Sequence, residues 1–202
     1  MKVIEQLLVS AGISPIAGVD EAGRGACAGP LVIASVVLND PFAAELAVVR
    51  DSKEIAENKR DAVFELIHQV AASVSVVIVP ATEIDARGVH AANLDGMRRA
   101  VQGLTVEPAY VLTDGYAIEG LGVPNLAVWK GDQVVVSISA ASVIAKVTRD
   151  RIMREMDAEF PQYGFAGHKG YITAAHTKAL NEHGPCAQHR TSFANVAALI
   201  HK

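Results

Sequence analysis

Apolar positions fall into runs of two periods along this chain. LVIASVVL (31–38) is continuous and rich in β-branched residues, which predicts a strand buried on both faces. IAGVD (16–20), SVSVVIVP (73–80), AYVLTD (109–114) and NLAVW (125–129) are further runs that predict strands, SVSVVIVP being ended by Pro80. Between them the apolar residues recur at helical spacing. Ile55, Val63, Leu66, Ile67 and Val70 mark a helix over 54–71, and a second is expected over 89–103, closed near Gly103. A short helix is read over 3–11, a long one within 134–159, and a last one over 174–183. Thr173 is placed to cap that last helix, and Gly184 and Pro185 to end it.

Three early strands followed by strands alternating with helices predict an α/β fold, a mixed five-stranded sheet flanked by helices. The later strands are expected to be parallel, which brings their C-terminal ends to one edge. Glycine-rich turns follow two of the strands, at 22–30 and 115–124. If the first and fourth strands are neighbours, the acids that end them, Asp20 and Asp114, converge. No repeat or linker interrupts the chain, so 1–202 is read as a single catalytic domain with the C-terminal helices of 171–202 packed on or beside it.

The chain has 202 residues, half of them hydrophobic, enough for a sizeable core. No apolar run reaches the ~18 residues of a membrane span, and Glu5 interrupts the N-terminal apolar stretch, unlike a signal peptide. A cytoplasmic monomer without membrane contact is expected. Cys27 and Cys186 are far apart with no CxxC, which fits free thiols in a reducing compartment. The net charge of −4 excludes binding to nucleic acid through bulk positive charge. Its distribution is uneven: residues 1–129 hold 9 Lys+Arg against 16 Asp+Glu, whereas 130–202 hold 9 against 6 and five of the seven histidines. The C-terminal third is either a phosphate-contacting face or ordinary solvated charge.

Four acids stand at the ends of apolar runs: Asp20 and Glu21 in IAGVDEAGRG, Asp114 in AYVLTDGY and Asp132 in AVWKGDQ. Carboxylates gathered at strand exits repel one another unless they hold cations. Hard ions such as Mg2+ or Mn2+ prefer carboxylate oxygens, and two of them clamp the attacking and leaving oxygens of a phosphodiester displacement. In DEAGRG (20–25) a turn beginning at the two acids is expected to bring both to one region. Gly23 and Gly25 let backbone amides approach a ligand, and Arg24 suits a phosphate. Each fragment has a plainer reading: Asp-Gly is a common turn pair, DEAGRG a solvated turn, and Asp51 a cap for the helix near Glu54. There is no GxxxxGK[ST] and no GxGxxG. Ser139, Ser142, Lys146 and Arg149 follow helical spacing, forming either a backbone-binding stripe or a solvated face.

These fragments together resemble the type 2 ribonuclease H family, ribonuclease HII in bacteria. DEAGRGACAGP (20–30) carries the resemblance, followed by DSK (51–53), TDG (113–115), KGD (130–132), SAASVIAKVTRD (139–150), YGFAGHKGY (163–171) and GPCAQHRTSF (184–193). Seven blocks in the family's order span about residues 16 to 193. The resemblance implies the ribonuclease H fold, with Asp20, Glu21, Asp114 and Asp132 as metal-binding catalytic acids. It implies that Gly23, Arg24 and Gly25 read a ribonucleotide 2′-hydroxyl, largely through backbone groups, the one feature that separates RNA from DNA at a position. By the same resemblance Tyr163 would stack on the sugar at the RNA-to-DNA junction and Lys53 would lie near a phosphate. Ser142 and Lys146 are taken as substrate contacts; His168, Lys169, His189 and Arg190 are left unassigned.

The resemblance implies a metal-dependent endoribonuclease acting on RNA–DNA hybrids and on single ribonucleotides in duplex DNA. The cut is expected 5′ of the ribonucleotide, leaving a 3′-hydroxyl and a 5′-phosphate, through two Mg2+ or Mn2+ ions. A hybrid-binding module without catalysis and a different phosphoryl transferase on the same fold are the competing classes. Glu54 and Ile55 follow DSK where many relatives have lysine and leucine. The chain ends soon after the SF motif, so an extended interaction tail is not expected.

Overall fold

The protein, seen in a computed structural model, is described over residues 3–200. Five strands, β1 (Ile16–Ala22), β2 (Leu31–Leu38), β3 (Ala71–Val79), β4 (Tyr110–Asp114) and β5 (Asn125–Val128), form one sheet in the order β3-β2-β1-β4-β5. β2 pairs antiparallel with both β1 and β3, while β1–β4 and β4–β5 are parallel. All eight residues of β2 are buried, as its continuous apolar run predicts for a strand covered on both faces.

The helices are α1 (Val3–Ser10), α2 (Glu57–Val70), α3 (Ala81–Arg87), α4 (Val89–Gln102), α5 (Gly131–Val134), α6 (Val136–Glu159), α7 (Phe165–His168), α8 (Ala174–His183) and α9 (Ala194–Ile200). Alternation along the strands sends Val32, Ala34 and Val36 to one face, against Val63 and Ile67 of α2 and Val143, Ile144 and Val147 of α6. The opposite parity sends Ala17, Val19, Ile33 and Val37 to the other face, against Ile84 of α3 and Ala92, Met97 and Ala100 of α4. Each fully buried Leu, Ile or Val side chain contributes roughly 1.5–3 kcal/mol.

α6 crosses the sheet in close contact, and two residues set its place. At Gly18 an added Cβ would lie 2.1 Å from the Ser137 carbonyl carbon, so only glycine lets β1 and α6 meet. At the start of α6, the backbone amides of Val136 (2.8 Å) and Ser137 (3.1 Å) donate to the carboxylate of Glu5. This buried acid from α1 satisfies amides that have no partner within the helix.

The five strands and five longer helices lie where the periodicity predicts them, with ends displaced by up to three residues. Pro80 ends β3 and also caps the unpredicted α3. Asp51 does not cap α2, which starts at Glu57 behind Ala56. Its Oδ1 instead accepts from the Lys53 amide at 3.0 Å and closes a local turn. α5, α7 and α9 were not legible, being four to seven residues long. Residues 201–202, on which the expectation of a minimal tail partly rests, lie outside the described residues.

Candidate active site

The parallel pairing of β1 with β4 creates the site. The last matched pair is Val19 with Thr113, so the register leaves Asp20 beside Asp114 at the strand ends. β4 in turn pairs with β5 up to Asp114 and Val128, and the chain leaves β5 for the short α5, which carries Asp132 in its first turn. The Gly131 amide donates to Asp114 Oδ1 at 2.7 Å, tying α5 to the end of β4. Ser139 Oγ donates to the Asp132 carbonyl at 2.6 Å and braces the same turn from α6. Asp132 therefore reaches the site from a helical turn, not from a strand exit.

Carboxylate oxygens of Asp20, Asp114 and Asp132 lie within 4.8 Å of one another. Burial, then Glu21 and Asp114, push the Asp20 carboxyl well above its usual range. Burial and then Asp114 and Asp51 raise Asp132, against the pull of Lys53. Lys53 Nζ lies 3.6 Å from Asp132 and 3.8 Å from Asp51. Burial acts to lower the Lys53 ammonium, but Asp51, Asp132 and Asp20 hold its pKa above the ordinary value. One exposed lysine does not neutralise three gathered acids. The site fits a hard divalent cation, whose charge would offset both the burial cost and the repulsion.

Glu21 departs from the expected turn. β1 stays paired with β2 through Ala22, so Asp20 and Glu21 point to opposite faces of the sheet. Glu21 lies on the α4 side, and its Oε2 is buried with no hydrogen-bond partner. Burial first and Asp114 second raise its pKa from 4.5 to about 7, partly countered by Arg24, Asn93 and Lys53. It borders the cluster from across the edge of β1.

Two cavities flank the acids and share Glu21, Arg24 and Lys53. One, of about 390 Å3, is lined by Asp20, Gly23, Gly25, Ser142, Lys146 and Tyr171 among others. The other, of about 500 Å3, adds Asp114, Tyr116, Trp129, Lys130, Asp132 and Gln133. Ser142 Oγ donates to Ser52 Oγ at 2.9 Å, and Lys146 Nζ is bound to Asp150 at 2.7 Å. Burial lowers the Lys146 ammonium, and Asp150 pulls it back up. Gly25 is exposed, and a Cβ there would meet nothing within 4 Å. The protein's own packing thus makes no demand for glycine at 25, whereas close approach by a ligand would.

The model for "Ribonuclease HII" matches residues 17–196 of this chain. The chain belongs to the ribonuclease HII family. It is 57% identical to the ribonuclease HII of Parafrankia sp. (strain EAN1pec) over 195 residues, covering 96% of this chain and 81% of that protein. It is 54% identical to that of Mycolicibacterium smegmatis (strain ATCC 700084 / mc(2)155) over 196 residues, 97% of this chain and 72% of that one. Among solved structures it is similar to ribonuclease H2 from Pyrococcus horikoshii OT3, with a TM-score of 0.79 and 25% identity over 91% of this chain and 96% of that chain. Membership of the ribonuclease HII family makes the chain an enzyme, a ribonuclease H endonuclease, and agrees with the mixed sheet described above.

In this ribonuclease HII chain Tyr163, expected at the substrate by resemblance, is packed away from the acids. Tyr163 is 4% exposed and does not line either cavity beside the acids. Its hydroxyl donates to the Gly184 carbonyl at 2.8 Å, and its ring packs on Phe165 and His189. Tyr116 lines one cavity and Tyr171 the other, and Tyr171 lies eight residues on in the same block and is 39% exposed. Tyr163 precedes Gly164 and Tyr171 follows Gly170 within one block, and neither neighbourhood says which ring the fold leaves uncovered.

Two arginines that spacing could not assign support the site from beneath. Arg149 is buried and donates to the carbonyls of Pro30 (2.9 Å), Ala28 (3.1 Å) and Lys169 (2.8 Å). A Cβ at Gly23 would lie 1.9 Å from its Nε, so that glycine is there for packing. Arg190 donates to the Gly29 carbonyl and, at 3.0 Å, to the Arg24 carbonyl. Burial, then Arg149, lowers Arg190 to about 10, which leaves it charged at neutral pH. The polar stripe read on α6 therefore splits: Ser142 and Lys146 face the cavity, while Ser139 and Arg149 hold the backbone.

Proposed function

We propose that this ribonuclease H endonuclease is metal-dependent. In this reading it cuts the RNA strand of RNA–DNA hybrids and cuts 5′ of single ribonucleotides in duplex DNA. Asp20, Glu21, Asp114 and Asp132 are the catalytic acids and would hold Mg2+ or Mn2+ at a two-ion site. Ions bound there supply Lewis acidity to the attacking water and to the leaving 3′-oxygen, giving a 3′-hydroxyl and a 5′-phosphate. The observation that carries the reading is the gathering of three aspartate oxygens within 4.8 Å, short of the positive charge they need.

The chain's own groups do the rest. Gly23, Arg24 and Gly25 meet the 2′-hydroxyl, with the Arg24 carbonyl already oriented by Arg190. Tyr171 takes the sugar-stacking role at the RNA-to-DNA junction, since its ring lines the cavity that Gly23 and Gly25 also line. Lys53, Ser142 and Lys146 contact the phosphate backbone on the same side. Residues 1–202 act as one catalytic domain, a reading supported by the packing of Leu180 and Val196 on Cys27 beside the glycine turn, and the enzyme is read as a monomer in the cytoplasm. Among the described residues no helix is long and apolar enough to cross a membrane.

The test is a duplex with one embedded ribonucleotide, incubated with Mg2+ or with EDTA, with product ends mapped. A single cut 5′ of the ribonucleotide in Mg2+ alone supports the reading. Cleavage in EDTA, or cleavage at deoxyribonucleotides with equal rate, overturns it.

A further inference from the structure

The wall behind Tyr171 contains three histidines, and their hydrogen bonds admit one arrangement of protons. The Cys186 amide donates to His189 Nδ1 at 3.0 Å, so that nitrogen is an acceptor and the ring's proton sits on Nε2. His189 Nε2 lies 3.1 Å from His176 Nε2, which must then accept. The His176 proton is therefore on Nδ1, which lies 3.0 Å from the Tyr171 carbonyl oxygen and donates to it. Any other placement sets two protons or two lone pairs face to face. Both rings are buried, at 0% and 1% exposure, so water does not substitute for either partner.

The peptide that this chain reaches is held from its other side as well. The Tyr171 amide donates to the His168 carbonyl at 3.0 Å, and the Gly170 amide donates to His168 Nδ1 at 3.1 Å. His168 donates from Nε2–H to the Tyr163 carbonyl at 2.7 Å and stacks on His176 at 4.1 Å between ring centroids. The Gly170 carbonyl accepts from the amides of Cys27 and Ala28, next to the glycine turn. A Cβ at Gly170 would lie 2.3 Å from the Ala28 carbonyl oxygen, so the two segments touch. Tyr171 is thus clamped to the turn that lines the same cavity.

We propose that His176, oriented by His189, is a positioning residue for the reaction: its Nδ1–H fixes the Tyr171 peptide and so aims the Tyr171 ring into the cavity beside the acids. This rests on the reading of Tyr171 as the junction-sensing ring. His176 touches no reacting atom; it acts through Tyr171. Removing its Nδ1–H releases the Tyr171 carbonyl without removing the ring.

Two conservative variants separate positioning from simple packing. In His176→Asn the side-chain amide occupies the Nδ1 position and still donates to Tyr171. In His176→Gln the amide reaches instead toward the Nε2 position, and the bond to Tyr171 is lost. The readout is the ratio of kcat/KM on a single embedded ribonucleotide to that on a continuous hybrid, with Tyr171→Ala alongside. His176→Gln is expected to lower the ratio about tenfold, less than the roughly hundredfold that a misplacement of 1 Å can cost. His176→Asn is expected to keep most of the ratio at equal or lower thermal stability. If the ratio is unchanged in His176→Gln but falls in Tyr171→Ala, the positioning role is overturned and the Tyr171 reading survives. If both variants lose the ratio in proportion to stability, His176 is packing only. If Tyr171→Ala keeps the ratio, or the wild-type enzyme cleaves neither substrate, both readings fall. Nitrogen-15 NMR of the wild-type imidazoles tests the geometry without any variant: His176 must carry its proton on Nδ1, and the Nε2–H tautomer would overturn the proposal.

Discussion

At the acidic edge, Asp20, Glu21 and Asp132 are carboxylates raised in pKa by burial and by neighbouring acids, Asp114 among them in each case, and Glu21 Oε2 has no partner. In the wall formed by 163–190 and the α6 residue Arg149 behind it, Arg149, Arg190, His176 and His189 are buried, yet each has named partners. Both regions pay the desolvation of polar groups, and the second recovers more of it through hydrogen bonds within the chain. The difference separates site from scaffold. Groups left in mutual repulsion await something from outside, while satisfied groups set the position of the backbone around them.

The largest expected effect lies in the unsatisfied region. Asp20→Asn keeps the shape and removes the charge, so cleavage in Mg2+ should fall by more than the roughly 100-fold that losing an outer partner of a metal ligand costs. Without metal the same variant should melt at a higher temperature than the wild type, because a repelling charge is gone. Turnover near wild type with unchanged metal dependence would dissolve the contrast between the two regions.

Arg149→Met probes the satisfied region. It leaves three backbone carbonyls without their donor, and a loss of about 3 kcal/mol is expected from denaturant unfolding. A loss below 1 kcal/mol would mean that water replaces the guanidinium at those carbonyls.

Acid and base should unfold the metal-free protein from opposite regions. Glu21 has a folded pKa of about 7 against 4.5, so its contribution to stability is complete below 4.5 and lost as pH rises through 7. His189 is lowered from 6.5 to about 4, first by burial and then by His176, so its contribution is present above 6.5 and lost as pH falls through 4. Each effect amounts to about 3 kcal/mol. In EDTA, Glu21→Gln should flatten the decline toward neutral pH, and His189→Gln the decline toward acid. Equal pH profiles for wild type and both variants would show that neither shift survives in solution.

Trp129, the only tryptophan, is 82% exposed on the cavity across the acids from Tyr171. Its fluorescence should change when a ribonucleotide-containing duplex binds in Ca2+. Trp129→Ala should weaken binding by about 1 kcal/mol, the low end for aromatic contact with nucleic acid. Binding seen by anisotropy without any fluorescence change would confine the substrate to the Tyr171 side.

The smallest effect is at Tyr163. Tyr163→Phe removes one hydrogen bond to Gly184 and should cost about 1 kcal/mol of stability. Discrimination between single ribonucleotides and continuous hybrid should not move; a fall like that of Tyr171→Ala would restore Tyr163 to the site.

Period and punctuation in the sequence were sufficient for the five strands, the longer helices and the parallel edge where Asp20 meets Asp114. Hydrophobic alternation is a local property, and so is the chemistry of an acid beside a glycine. The neighbour relations were not local. That Asp132 arrives on a helical turn depends on α5 folding back against Asp114, and that Glu21 faces α4 depends on β1 staying paired to Ala22. That Tyr171 and not Tyr163 lines a cavity depends on the packing of Phe165 and His189 over the Tyr163 ring. Arg149 and Arg190 are bound to carbonyls far along the chain, partners that no spacing rule connects, and His176 meets His189 only because α8 and the segment after it fold together. The sequence by itself determined which elements form and which acids are available. Only the tertiary structure decided which buried polar groups find partners, because desolvation and hydrogen bonding are settled by neighbours in space.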